Sequence, residues 1–184
     1  MQLLNSSQRY GLVSVLIHWL VALAVFALFA VGLWMTGLSY YSPWYQTAPA
    51  LHKSVGVLLF AMMLFRLAWR LFTPKPAPLS THSASVRLLS GLGHGLLYLS
   101  IFVVMISGYL ISTAEGRGIK VFDLFEVPAL ITGLPNQADL AGAVHFYVAW
   151  ALVFFAVLHG LAALKHHFID RDATLMRMLG RGTK

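Results

Sequence analysis

Four long apolar stretches, Leu12 to Leu38, Leu51 to Phe72, Leu88 to Thr113 and Leu140 to Phe168, dominate this chain and are interrupted by few charges. Each is long enough to cross a bilayer core of about 30 Å. Lipid offers no hydrogen bonds to a backbone, so such stretches must satisfy their amides internally, as helices do. The chain is 59% hydrophobic and 10% charged, where a soluble domain is about a quarter charged. A water-soluble globule is therefore excluded. The expected architecture is all-α: an integral membrane four-helix bundle, one membrane domain covering 1–184. The first stretch is too long for the apolar core of a signal peptide. It follows a single charge, Arg9, and precedes no small-residue cleavage site, so it is expected to stay as the first span.

The connectors differ in character. Ser39 to Ala50 gathers Tyr40, Tyr41, Trp44 and Tyr45 among prolines, a composition suited to the water–lipid interface. Thr73 to Arg87 is rich in Pro and Ser and reads as an exposed turn segment. Ala114 to Asp139 contains an amphipathic run, Ile119 to Glu126, expected to lie flat on the membrane surface. There it would cover the opening of the bundle or dock another protein.

The net charge is +7, from 13 Lys and Arg against 6 Asp and Glu. With four spans, Arg9, Arg66, Arg70, Lys75, Arg87, Lys165, Arg171, Arg177, Arg181 and Lys184 fall on one side, and only Lys53, Arg117 and Lys120 on the other. The positive-inside rule then places both termini in the cytoplasm. The basic surplus is a topology signal and needs no nucleic acid to account for it.

The chain has no cysteine and 8 histidines. Iron–sulfur clusters, thiolate zinc and covalently attached haem are thereby ruled out, and a cofactor must be held by His, Met or carboxylates. Five histidines, His18, His52, His94, His145 and His159, lie in the spans, where ionisable groups are rare and point to function. One such residue could simply bond between helices; five make that account a poor one. Alternating span direction puts His18, His94 and His159 in the cytoplasmic half and His52 and His145 in the outer half.

His145 and His159 are close to four helical turns apart, about 21 Å of rise with about 40° of residual rotation. Both imidazoles face one interior. A low-spin haem takes axial ligands from opposite sides, and histidines on facing helices supply them. Two stacked haems fit, with the inner level left with three candidate histidines. Gly56 after His52, Gly160 after His159, and Gly91, Gly93 and Gly95 around His94 would admit a porphyrin, although close helix packing alone explains such glycines.

The order of these elements resembles the bacterial di-haem cytochrome b561 family. The resemblance rests on Arg9-Tyr10 with His18-Trp19, and on His52-Lys53 with Gly56 and the later Arg66 and Arg70. It continues with Gly93-His94 before Tyr98, and with His145 and His159 followed by His166-His167. It runs from about Arg9 to Met178 and extends to the cytochrome b subunits of formate dehydrogenases and nickel–iron hydrogenases. The resemblance implies two haems b, the outer on His52 and His145 and the inner on His18 and His159. His94 is then left to pack, to touch a propionate or quinone, or to replace His18.

Compact members of that family take electrons from superoxide and pass them to ubiquinone, so the resemblance implies this activity in the inner bacterial membrane. His166 lies about two turns beyond His159, on nearly the same face and close to cytoplasmic water, and is the expected proton-handling residue for quinone, with Ser90 and Arg87 as further candidates. Arg66 and Arg70 could pair with propionates, yet arginines at a cytoplasmic end are expected anyway. Lys53, Arg117 and Lys120 are the only outer cations and could steer an anion such as superoxide. Two other functions fit the same residues: a cytochrome b anchor relaying electrons between quinone and a periplasmic redox partner, and a histidine-lined metal or proton transporter.

Overall fold

The computed structural model describes residues 2–79 and 81–180. Four long helices appear: α1 (Leu12–Thr36), α2 (Thr47–Phe72), α3 (Ala84–Thr113) and α4 (Gln137–Phe168). A short α5 (Thr174–Met178) follows, and strands β1 (Ile119–Val121) and β2 (Phe125–Val127) lie between α3 and α4. All four long helices are apolar enough over enough length to cross a membrane. Their large side chains, Leu23, Phe65, Leu99 and Phe154 among them, are exposed, as helices solvated by lipid rather than water permit. The chain is thus mostly helical, consistent with a helical bundle.

Three helices start earlier than their apolar residues do, because the first turn of each is polar. Ser83 caps α3, its Oγ accepting from the Val86 amide at 3.3 Å. Gln137 opens α4, accepting from the Leu134 amide at 3.2 Å and donating to the Leu110 carbonyl at 3.0 Å. Pro49 sits in the first turn of α2, where its missing amide costs nothing. Hydroxyls within α3 bond back along the helix, Ser112 to Gly108 at 3.1 Å and Thr113 to Tyr109 at 3.0 Å, hiding polar groups in an apolar setting.

The run from Ile119 to Glu126 is not a surface helix but the body of a β-hairpin, a correction to the sequence expectation. Ile119 pairs with Val127 and Val121 with Phe125, antiparallel. Ile119 and Val121 are buried while Lys120 is exposed, the alternation of a strand rather than of a helix. Phe122 and Asp123 adopt φ of 49° and 57°, and the Leu124 amide donates to the Val121 carbonyl at 3.0 Å, the left-handed turn a twisted hairpin favours. Buried Ser54 of α2 fixes this hairpin: its hydroxyl donates to the Lys120 carbonyl at 3.4 Å and accepts from the Phe122 amide at 3.0 Å.

The chain divides into two compact units. The first comprises Met1–Ala22, Met62–Leu97 and Phe154–Lys184; the second comprises Leu23–Ala61 and Tyr98–Val153. In the first unit the N-terminal segment, the 73–83 connector and the tail are laced together. Asn5 accepts from the Gly11 amide and Ser14 hydroxyl and donates to Thr73. The Ala77 amide donates to the Ser7 carbonyl at 2.8 Å, Arg177 donates to the Ala77 carbonyl at 2.8 Å, and Trp19 donates from its indole to the Met178 carbonyl at 2.8 Å. A Cβ on Gly11 would collide with the backbone of Leu3 and Leu4. Every described Lys and Arg except Lys53, Arg117 and Lys120 belongs to the first unit; Arg181 and Lys184, counted with the cytoplasmic cations, lie outside the described residues.

Candidate functional site

In the second unit, α2 and α4 bring His52 and His145 face to face, ring centres 6.2 Å apart and planes at 69°. Glycine makes room for both rings. A Cβ on Gly108 of α3 would lie 3.0 Å from His145 Cε1, and one on Gly32 of α1 would lie 3.4 Å from His52 Cε1. His145 donates from Nδ1 to the Val104 carbonyl at 2.9 Å, with the Ser107 hydroxyl 3.4 Å from the same nitrogen. Because a carbonyl only accepts, Nδ1 carries the proton and Nε2 keeps its lone pair, the tautomer of a metal-ligating imidazole. His52 Nδ1 is buried with no hydrogen-bond partner among the described residues.

In the first unit, three imidazoles converge. His18 of α1 and His159 of α4 have ring centres 6.2 Å apart and planes at 70°, nearly the geometry of the other pair. His94 of α3 lies nearer His159, at 5.2 Å and 65°. Arg66 of α2 donates to His18 Nδ1 at 3.0 Å. Ser90, one turn before His94, has its hydroxyl 3.5 Å from His94 Nδ1.

The His52–His145 and His18–His159 pairs share one ring-centre separation, 6.2 Å, and His94–His159 is shorter at 5.2 Å. Imidazole pairs drawn from facing helices are the donor set of bis-histidine haem, so the residues present fit the group.

Close packing does not explain the glycines near these histidines. At Gly56, Gly91, Gly93, Gly95 and Gly160 a Cβ would meet nothing within 4 Å, which corrects that reading. The glycines that do allow close approach are Gly32 and Gly108, each on a helix other than that of the histidine it faces, so no sequence proximity marks them.

His166, at the end of α4, is half-buried, and its Nδ1 lies 2.9 Å from both Asp172 Oδ2 and Asp170 Oδ2. His82, from the 73–83 connector, is 2.9 Å from the same Asp172 oxygen, and the His82 and His166 rings are 4.9 Å apart. Burial works against the Asp172 charge, but hydrogen bonds from the Thr174 hydroxyl and amide and from His82, with the charge of His166, outweigh it and hold the carboxyl down at about 2. His82 and Asp172 escaped the sequence reading: neither lies in a span, and nothing in the chain between them signals that they meet. Arg87 is exposed on the first turn of α3, and Ser90 reaches His94 rather than His166.

Lys53, Arg117 and Lys120 are all exposed. Lys53 adjoins His52 in sequence, and Ser54 binds the Lys120 backbone to the same turn of α2. Lys120 stands opposite Glu126 in the hairpin, and Arg117 lies 4.0 Å from Glu115 with both side chains largely exposed, a pairing worth little in solvent.

The prokaryotic cytochrome b561 family model matches residues 9–181. The chain is 51% identical over 183 residues to cytochrome b561 homolog 2 of Escherichia coli K12, covering 100% of this chain and 97% of that one. It is 30% identical over 174 residues to the probable superoxide oxidase CybB of Yersinia pestis, covering 94% and 96%. Cytochrome b561 homolog 1 of E. coli K12 is 26% identical over 179 residues, covering 94% and 98%.

Proposed function

The chain belongs to the prokaryotic cytochrome b561 family and is a multi-pass bacterial membrane electron-transfer protein, and from that premise we propose that it oxidises superoxide at the outer face of the inner membrane and reduces ubiquinone near the cytoplasmic face. When bound, two haems b supply one-electron transfer between those substrates. His52 and His145 would hold the outer haem and His18 and His159 the inner one. The observation that carries this reading is the shared 6.2 Å separation of the two pairs, at 69° and 70°.

The chain's own residues then have distinct tasks. Val104 and Ser107 orient His145 and fix its tautomer. Ligation of His18 through Nε2 requires its proton on Nδ1, where Arg66 now donates; Arg66 would exchange that nitrogen for an acidic acceptor, and a haem propionate is one. His94, nearer His159 than His18 is, would line the inner haem or the quinone with Ser90. His166, with Arg87 close to the cytoplasmic end of α3, would hold a proton for quinone reduction. Lys53, Arg117 and Lys120 would raise the local concentration of the superoxide anion. Alternating spans and the grouping of cations in the first unit support cytoplasmic termini.

A second reading, a cytochrome b anchor for a periplasmic redox partner, is favoured by the exposed Leu124 and Leu130 of the 114–136 connector, apolar residues suited to docking. One experiment separates the two. The purified protein is assayed for its haem-to-protein ratio and for quinone reduction driven by a superoxide source. Two haems per chain and superoxide-dependent turnover by the lone polypeptide support the first reading. A partner co-purifying in stoichiometric amount, with no such turnover, supports the second, and a colourless protein refutes both.

A further inference from the structure

We propose that His82, His166 and Asp172 form a site for a divalent transition-metal ion of the zinc type, on the first unit and separate from the histidine pairs. Two chain regions distant in sequence supply it: the 73–83 connector with His82, and the end of α4 running into the tail before α5 with His166 and Asp172. His82 Nε2 and His166 Nδ1 are each 2.9 Å from Asp172 Oδ2, and all three donor atoms lie within 4.8 Å of one another. Two imidazole nitrogens and one carboxylate oxygen match the ligand set of zinc, which binds them at about 2.0–2.2 Å in a tetrahedron. Asp170 Oδ2 is 2.9 Å from His166 Nδ1 but is held by Lys165 Nζ at 2.6 Å, so water completes the set.

The surroundings are those of a built site rather than a chance surface cluster. The side chains of His82 and His166 are 17% exposed and that of Asp172 is 7% exposed. Asp172 is held from its far oxygen, Oδ1 accepting from the Thr174 amide at 2.8 Å, which leaves Oδ2 directed at both imidazoles. Such outer contacts fix the orientation of metal ligands. Arg177, bonded to the Ala77 carbonyl, joins the tail to the same connector from which His82 comes. Without metal, the carboxylate accepts from both imidazoles. With metal, each ring keeps one proton, on the other nitrogen, any further ring proton passes to water, and the ion replaces the two hydrogen bonds.

The test is zinc binding by calorimetry on the purified, haem-loaded, chelator-treated full chain, with zinc chloride as the probe. The expected result is one zinc per chain, weakened at least tenfold by His82→Ala and by Asp172→Asn and unchanged by His167→Ala. Asp172→Asn keeps the shape and loses the anionic ligand, so it guards against misfolding of the alanine variant, and an unaltered haem spectrum reports the fold of each. Absence of zinc binding, or binding that survives Asp172→Asn, overturns the proposal and leaves the cluster a hydrogen-bonded tie only. Neither result depends on superoxide or quinone turnover; a zinc-bound His166 would not hold the proton for quinone, so zinc binding reassigns that one role and leaves the rest of the proposed function to its own test.

Discussion

His145 on α4 donates from Nδ1 to the carbonyl of Val104 on α3 at 2.9 Å, one turn before Gly108, whose missing side chain leaves room for the same ring. One stretch of α3 therefore sets both the tautomer and the position of the imidazole. Gly108→Ala would place a Cβ 3.0 Å from Cε1 and 3.2 Å from Nδ1, so the ring must shift by a few tenths of an ångström, at a cost of about 1–3 kcal/mol. The expected outcome is a displaced or weakened outer-haem absorption in reduced-minus-oxidised spectra. Gly142→Ala, where a Cβ also meets nothing within 4 Å of protein, serves as the comparison: if both variants behave alike, the close approach at Gly108 is irrelevant.

His18 and His94 stand at different ring separations from His159, 6.2 and 5.2 Å. Alanine at His18 or His159 should remove one haem and spare the other, and alanine at His52 or His145 should remove the second. His94→Ala should keep both while altering the inner-haem spectrum or quinone turnover. Haem-to-protein ratios decide the matter, and loss of a haem with His94→Ala but not with His18→Ala would reverse the assignment.

Ser54 joins the hairpin to α2 through both its lone pair and its proton. Ser54→Ala leaves the Phe122 amide without its partner, a cost of about 1–3 kcal/mol. Amide exchange at Phe122 should accelerate about fivefold or more, while exchange in the middle of α4 stays as it was. Unchanged protection at Phe122 would mean that the hairpin is held by its apolar residues alone.

Replacing Lys53, Arg117 and Lys120 together with Gln should lower the rate of haem reduction by superoxide about tenfold at low ionic strength and flatten its salt dependence. Stopped-flow rates across a salt series measure this; a triple variant with the original slope removes steering from the scheme.

The four spans were legible because lipid imposes one requirement, continuous apolar length, which sequence displays directly. The ends at Phe72, Thr113 and Phe168 coincide with the ends of the apolar stretches, whereas the first turns at Thr47, Ala84 and Gln137, with their Pro49, Arg87 and Asp139, do not look like membrane helix. The facing of His52 and His145 was legible from depth. The inner partner of His159 was not, since His18 and His94 have similar depth and both rings lie beside His159. The hairpin was obscured because Phe122 and Asp123 carry no turn signature of the Asn-Gly kind, so a three-residue alternation read as an amphipathic helix. The His82–Asp172 contact arises from tertiary closure between a connector and a tail, which no local pattern encodes.

The lacing of N-terminal segment, connector and tail makes closure of the first unit a long-range event. The second unit, Leu23–Ala61 with Tyr98–Val153, is drawn from the interior of the sequence, whereas the first joins residues from near both ends, His18 with His159 and Trp19 with Met178. Loss of the residues after Phe168 would therefore unfasten Trp19 and Ala77 from the tail while removing nothing from the second unit.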